Sequence, residues 1–386
     1  MEILSALFGL LLMCLFAIYH LTRYCRRRYM EDGYLFIGKL FLLLAIIAAA
    51  LYQPLHDYWL TSKTEELHVA LRCNKRKEAI ALLNSGIPVN KEGKRGDRAI
   101  HAAISSGNKE LIKEIIDRGA QLETWGMHKR TPLIKAAAKG DSEMVKMLID
   151  AGANINGRSD FGSTALLQAT EAGHLSVVKL LLRHGADVAL ADKNQRTPIH
   201  GAVDRLRPEV LKVFLNRDDC ILKQDSLGWN LLHRAAFYGI MFRKKEKDTI
   251  KRLARTIELL VEKGVSWEQL DNKGRSVAHM VCAHQDKEVL ATFIEAGCPL
   301  EIIDKNGDTP LLAAIRKRRF FKVKSLYDQG ASSTAKTKDG LSAYELAKKL
   351  RAYDEILEIL RPEGEVEAEE NEGSALGHSE AGASIR

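Results

Sequence analysis

The chain has 386 residues, a formal net charge of +8 and 46% hydrophobic residues, a length that would hold two or three ordinary domains. Its six cysteines show no CxxC or other ligand spacing, which argues against a disulfide framework and a metal site. No HExxH, GxSxG or P-loop sequence occurs, so no common hydrolase or nucleotide-binding chemistry is indicated and no cofactor is implied.

Residues 1–55 open with two apolar runs. Ile3 to Leu21 carries no charge, and Leu35 to Leu51 is interrupted only by Lys39, close enough to one end to snorkel. Tyr52, Tyr58 and Trp59 follow like an interfacial belt. A cleaved signal peptide would need a basic start and a small-residue cleavage site, and neither is present. The expectation is a transmembrane hairpin whose turn holds Arg23, Arg26, Arg27 and Arg28. Basic residues in short loops stay cytoplasmic, so everything after the second helix is expected on the far side, the periplasm of a Gram-negative inner membrane. Lys63, Arg72, Lys75, Arg76 and Lys77 pull the opposite way. Residues 56–64 read as a short linker, about 30 Å long if fully extended.

From residue 65 to 362 a 33-residue period takes over. Aligned on His68, the matching slots are His101, Ile134, Leu167, His200, His233, His279, Leu312 and Glu345, and only the step from His233 to His279 is longer. Thr131-Pro132-Leu133, Thr197-Pro198-Ile199-His200 and Thr309-Pro310-Leu311 mark helix starts, with Thr as the cap and Pro in the first turn. Ala102-Ala103, Ala136-Ala137, Ala235-Ala236 and Ala313-Ala314 follow, then a turn glycine at Gly107, Gly140, Gly173 or Gly239. A second apolar helix ends at Gly86, Gly119, Gly152, Gly185, Gly264, Gly297 or Gly330. Asp225-Ser226-Leu227-Gly228, Asp271-Asn272-Lys273-Gly274 and Asp304-Lys305-Asn306-Gly307 are turns joining consecutive repeats.

These residues closely resemble the ankyrin repeat from about Glu65 to about Leu360. The resemblance implies an all-α repeat solenoid of about nine helix–turn–helix units, here behind two N-terminal transmembrane helices, with hairpin fingers between repeats. It also implies a structural role for His68, His101, His200, His233 and His279. In the repeat of His200, Leu206 takes the turn-glycine slot and Asp218 the terminal one, so that repeat is expected to be distorted but unbroken. The longer step reflects an insertion near 240–252. It is expected to lengthen the second helix of the His233 repeat at its start, with Asp248 as a cap and Met241 and Phe242 covering the added turns. Arg243, Lys244, Lys245 and Lys247 make this segment strongly basic.

Ankyrin-like proteins bind partners through finger tips and the exposed side of the first helices, which line a concave face. On this grid Trp125, Phe161 and Trp229 fall in or beside fingers, and Arg234, Met280, His284 and Arg316 on first helices. Large aromatics and arginine dominate interface energetics, so these seven are the expected partner-binding residues, with Trp229 and Arg234 foremost. Residues 363–386 form an acidic tail with too little apolar content to pack. From 361 onward seven glutamates oppose Arg361 and Arg386, so the first 360 residues carry +13. A basic body suits an acidic protein partner or anionic lipid, whereas no nucleic-acid motif accompanies the charge. The expected function is a membrane-anchored, non-enzymatic interaction module, acting as an immunity-type inhibitor of a membrane-active toxin. The alternative is a bacterial effector in host membranes, on the strength of Glu367, Glu369, Glu370 and Glu372 near the end.

Overall fold

A computed structural model describes residues 16, 19, 20, 23, 32–94, 96–126, 129–217, 224–242, 248–283 and 286–362. Among them are eighteen helices, which pair in chain order into nine repeats. The pairs are α1 (Asp32–Arg72) and α2 (Arg76–Asn84), α3 (Ala99–Ser106) and α4 (Lys109–Asp117), and α5 (Pro132–Lys139) and α6 (Ser142–Asp150). Next come α7 (Ala165–Ala172) and α8 (Leu175–Arg183), α9 (Pro198–Asp204) and α10 (Pro208–Leu215), and α11 (Leu231–Phe242) and α12 (Thr249–Glu262). The last are α13 (Val277–Cys282) and α14 (Lys287–Glu295), α15 (Pro310–Arg316) and α16 (Phe320–Asp328), and α17 (Ala343–Lys349) and α18 (Asp354–Leu360). Among the described residues the one β feature is an isolated antiparallel bridge between Lys336 and Ser342. Two compact units result, one from Met1–Lys135 with Met147–Ala153, the other from Ala136–Lys146 with Asn154–Arg386.

Helix starts follow the caps read from sequence. The hydroxyls of Thr164, Ser276 and Thr309 accept the N–H groups of Leu167, His279 and Leu312, and Pro198 and Pro310 sit in the first turn. The last repeat replaces the histidine by Glu345. Its carboxylate accepts the Ser342 N–H at 2.7 Å while the Ser342 hydroxyl accepts the Glu345 N–H at 3.2 Å, a reciprocal box that caps the helix without an imidazole.

The turn between paired helices keeps its backbone and changes its residue. Gly107, Gly140 and Gly173 have φ of 81°, 85° and 85°, and the same slot holds Asn74, Leu206, Arg318 and Arg351 at 58°, 49°, 52° and 54°. Leu206 accepts the left-handed strain because its side chain is buried in the core, where it recovers about 2 kcal/mol. The repeat of His200 is thus continuous through α9 and α10, as expected, while Asp218 lies outside the described residues.

Three expectations need correction. The segment 56–64 is no extended linker: α1 runs unbroken from Asp32 to Arg72, through Pro54, so this stretch advances only about 13 Å. Gly239 is not a turn residue but lies inside α11. A Cβ there would come within 2.8 Å of the Leu253 side chain, so this glycine lets α11 and α12 approach closely. The insertion lengthens both helices, to 12 and 14 residues; Asp248 stands at the start of α12 without a side-chain cap, and Met241 is exposed rather than covering core.

Among the described residues no helix is long and apolar enough to cross a membrane. The first run of the expected hairpin falls almost wholly outside them, as do Arg26, Arg27 and Arg28, residues 243–247 and the tail from 363; the second run, Leu35 to Leu51, lies within α1, and Arg23 is described and helical.

The histidine slot links neighbouring repeats. Nε2 of His101, His233 and His279 lies 3.2, 3.2 and 3.0 Å from the carbonyls of Arg130, Arg275 and Asp308, each in the next finger. At His279 the Ser276 N–H points at Nδ1, which fixes the neutral imidazole with its proton on Nε2. Burial lowers the pKa of His68, His233 and His279, and pushes His101 down to about 4. An unfolded histidine titrates near 6.5. The stability held by these depressed groups is therefore complete above about pH 6.5 and is lost as pH falls toward their folded values. His101 alone should contribute a loss of about 2 kcal/mol between pH 7 and pH 5. Melting curves of the full chain and of His101→Gln across that range check this; equal pH slopes would refute it.

Candidate functional site

In the second compact unit successive fingers lie edge to edge. The first residue of most is an acid that cradles the turn: Asp192, Asp271 and Asp304 each accept the N–H groups two and four residues on, at 2.8 to 3.1 Å, while the hydroxyls of Ser159 and Thr337 each accept the N–H four residues on at 3.1 Å. Asp225 does the same for Leu227 and Trp229. The fourth residue is Gly162, Gly228, Gly274, Gly307 or Gly340, with φ between 71° and 80°, and in the finger of Asp192 it is Gln195, at 60°. Backbone bonds then tie the fingers together: the N–H groups of Lys193, Asn272 and Lys305 donate to the carbonyls of Phe161, Leu227 and Gly274 at 3.0, 3.1 and 2.9 Å.

The third residue of each finger is its tip. Most tips are polar, namely Asn194, Lys273, Asn306 and Asp339, but Phe161 is 66% exposed and Leu227 51%. Lys193, Lys273, Lys305 and Lys338 are exposed along the same row. Leu227 was not among the residues expected from sequence. Its signal was legible all the same, as an apolar residue at a tip where the turn requires none.

The structure divides the seven expected residues. Trp125, in the first compact unit, and Phe161, in the second, are exposed as expected. Trp229 is half-buried: its ring lies 5.1 Å from that of Phe237, and its indole N–H points at Asp271 of the next finger at 3.4 Å. It braces one finger against another. Met280 is 5% exposed and belongs to the core of its repeat, while His284 lies outside the described residues. Arg316 reaches back to its own finger, where Nε and Nη2 grip Asp308 at 2.6 and 2.8 Å.

Arg234 is the clearest correction, with only 4% of its surface exposed. Its Nε donates to Asp204 of the preceding repeat at 2.7 Å, Nη2 donates to the other oxygen of the same carboxylate, and Nη1 to Asp225. Asp204 also faces Arg196 at 3.6 Å, and Arg196 holds Asp192 and Glu171 at 2.7 and 3.0 Å. Two guanidiniums thus bridge four carboxylates across three repeats. Burial raises the Asp204 pKa, with the Arg234 and Arg196 charges pulling against it; burial opposes the Arg234 charge too, but Asp204 and Asp225 raise its pKa above the ordinary value. Lys135, also on a first helix, donates to the carbonyl of His101 at 2.8 Å. These first-helix cations are spent within the stack.

Cys282 and Cys298 are buried, as small core residues should be, and burial pushes the Cys282 thiol up to about 12. In the first compact unit a groove of about 720 Å³ lies between α1 and α2, lined by Tyr58, Glu65, Val69 and Leu82. Among the described residues no three His, Cys, Asp or Glu side chains converge to hold a metal ion.

The family model for ankyrin repeats matches residues 67–159, 121–192, 166–254 and 249–337, together more than half of the chain. The chain belongs to the ankyrin repeat family. Two Variola virus sequences, each of an ankyrin repeat protein, are 26% identical to it over 133 residues, 34% of this chain and 23% of the viral one. The match therefore spans less than a quarter of those relatives' length. The ankyrin assignment makes the chain a protein–protein interaction module of a family that is typically non-enzymatic.

Within that ankyrin framework Arg234→Ala strands two buried carboxylates. The expected cost is about 3–5 kcal/mol of stability, typical of breaking a buried pair from one side. Calorimetric unfolding of the full chain measures it, and a loss below about 1 kcal/mol would show that Arg234 is dispensable to the fold.

Proposed function

We propose that the finger row of the second compact unit binds an acidic protein partner, with Phe161 and Leu227 as apolar anchors and Lys193, Lys273, Lys305 and Lys338 selecting for charge. One observation carries this reading. Two large apolar side chains stand exposed at a slot whose other occupants are polar and whose backbone is held by Ser159 or Asp225 at the turn root and by the glycine that follows the tip. Such groups gain free energy only when a partner covers them. The lysines supply steering and register more than affinity. Binding is stoichiometric and involves no reaction.

A membrane tether is the second part of the proposal, and the N-terminal sequence supports it. On α1, Leu42, Leu43, Ile46, Ile47, Leu51 and Tyr52 are all exposed, and at 100° per residue they spread around most of the helix. A helix so coated belongs in lipid or against a partner. Arg23, Arg26, Arg27 and Arg28 favour a cytoplasmic turn and therefore a module on the far side, where occluding a membrane-active toxin is the use we favour.

Two experiments test the parts separately. Affinity capture from solubilised membranes with the full chain should enrich an acidic protein, and Phe161→Asp with Leu227→Asp should reduce its recovery at least tenfold at an unchanged melting temperature. Undiminished recovery would move the interface off the fingers. A reporter active only outside the cytoplasm, fused after Leu360, should be active, and activity of a cytoplasm-only reporter at that point would reverse the orientation.

A further inference from the structure

Between the two terminal repeats, one slot of the second helices is reserved for the core. Leu111, Met144, Val177, Thr256 and Val289 all stand eight residues before the glycine that follows their helix, and all are fully buried. Four of them are apolar, and the Thr256 hydroxyl returns to the Arg252 carbonyl of its own helix at 2.8 Å. At the same offset from Gly330, in α16, the chain places Lys322. It is buried like the others, with 6% of its surface exposed. The fold asks for an apolar residue here, and the sequence supplies an amine.

Nζ of Lys322 donates to the carbonyl of Cys282 in the preceding repeat at 2.7 Å and lies 6.0 Å from the centre of the Phe321 ring. An ammonium brings three donors, and among the described residues the structure gives this one a single hydrogen-bond acceptor. Burial pushes its pKa down to about 8, against the pull of Cys282 and Asp286 and with the help of Arg319. Roughly a tenth of it is then neutral at pH 7, several hundredfold more than of an ordinary lysine. A cavity of about 30 Å³ adjoins the amine, walled by Cys282, Asp286, Leu290, Phe321, Ser325 and Leu326. That is room for about two waters. The cavity shares Lys287, Leu290, Phe321 and Ser325 with a groove of about 470 Å³ between α14 and α16, so it is reached from the surface.

We propose that Lys322 is an acyl-acceptor site, which takes a two-carbon acyl group from an activated donor, an acyl phosphate or a thioester. The neutral amine attacks the acyl carbon and a C–N bond forms. The bond from that carbon to the phosphate oxygen or thiolate sulfur breaks, and the leaving group departs with the electron pair. The proton shed by nitrogen passes to it, so the products are an amide and hydrogen phosphate or a thiol. The amide suits the site better than the ammonium does. It has no charge to bury, and its one N–H matches the one carbonyl of Cys282. Its methyl group enters the cavity against Leu290 and Leu326, and Ser325 in the same wall offers a hydroxyl to the acyl oxygen. A charged adduct of equal size would restore the burial cost that the amide removes. The neighbouring Cys282 does not compete, because burial pushes its thiol up to about 12 and leaves almost no thiolate. The site lies on the second helices and stands independently of which partner the finger row binds.

Mass spectrometry of the full chain after timed exposure to acetyl phosphate, or to a small acetyl thioester, tests it. Lys324 is the internal reference, since it lies on the same helix, is exposed, and pairs with Glu355 at 2.9 Å. Lys322 should be acetylated at least tenfold faster than Lys324, and the faster donor names the source; a smaller ratio with both donors overturns the proposal. In denaturant the advantage should vanish, and an advantage that survives would show that the fold plays no part in it. Ser325→Leu, which fills the cavity, should abolish the advantage at an unchanged melting temperature, whereas persistence would place the acyl group elsewhere. Benzoyl phosphate, whose ring exceeds the cavity, should spare Lys322 and still reach Lys324; equal rates would overturn the size assignment. The chain acetylated at Lys322 should melt no lower than the unmodified chain, and a fall would mean that the amide is not held as proposed.

Discussion

No repeat in this chain can bury its own two helices, and that constraint governs the rest. Most helices here are six to nine residues long, below the length that is stable alone in water, so each exists because a neighbouring repeat covers it. The buried alanines at 102, 103, 235 and 236 let helix axes come close, and the histidine bridges add direction by joining a helix start to the finger that follows. The fit leaves no slack. A Cβ on Gly126 would lie 2.4 Å from the His101 ring, so the finger backbone itself forms the wall against which that imidazole packs.

Features that repeat were legible in the sequence, and features that depend on a pair of distant residues were not. The period, the caps and the terminal glycines recur often enough to be read off, and Leu206 in the turn slot was rightly expected to bend without breaking. Gly239 failed because the same letter serves two purposes: at residue 173 it turns the chain, and at 239 it makes room for Leu253. Arg234 failed for a related reason. Whether a first-helix arginine faces a partner or the protein depends on an acid in the preceding repeat, and Asp204 is that acid. Trp229 stands two residues after a tip, where the chain turns back and the side chain meets the adjacent finger. The apolar tips Phe161 and Leu227 follow from the turn alone, since the third residue of such a finger has no inward direction to take.

The distribution of charge sharpens the meaning of the basic body. Asp192, Asp204, Asp271 and Asp308 are each at most 5% exposed, spent on finger turns and on buried arginines. Arg196, Arg234, Arg275 and Arg316 pair these four carboxylates, so the charge left on the finger row is that of its exposed lysines. The acids at the turn roots are spent on the fold, and the lysines beside them are left to set the long-range field of the row.

The insertion obeys the same geometry, which explains why it can be tolerated. It enters between the end of α11 and the start of α12, the end of the helix pair remote from the finger. The 12 residues of α11 place that end about 18 Å along the helix from Leu231, where the finger joins. Neighbouring first helices of six to eight residues cannot cover the added turns, so α11 and α12 must cover each other, and Gly239 against Leu253 is the contact that permits it. Met241 is left exposed by the same mismatch. A change of length at that end leaves the finger row in register, because register is set by the acid, the glycine and the cross-finger backbone bonds at the opposite end. The insertion is therefore absorbed without shifting Asn272 from its place over Gly228, and the finger row and the insertion can vary independently of each other.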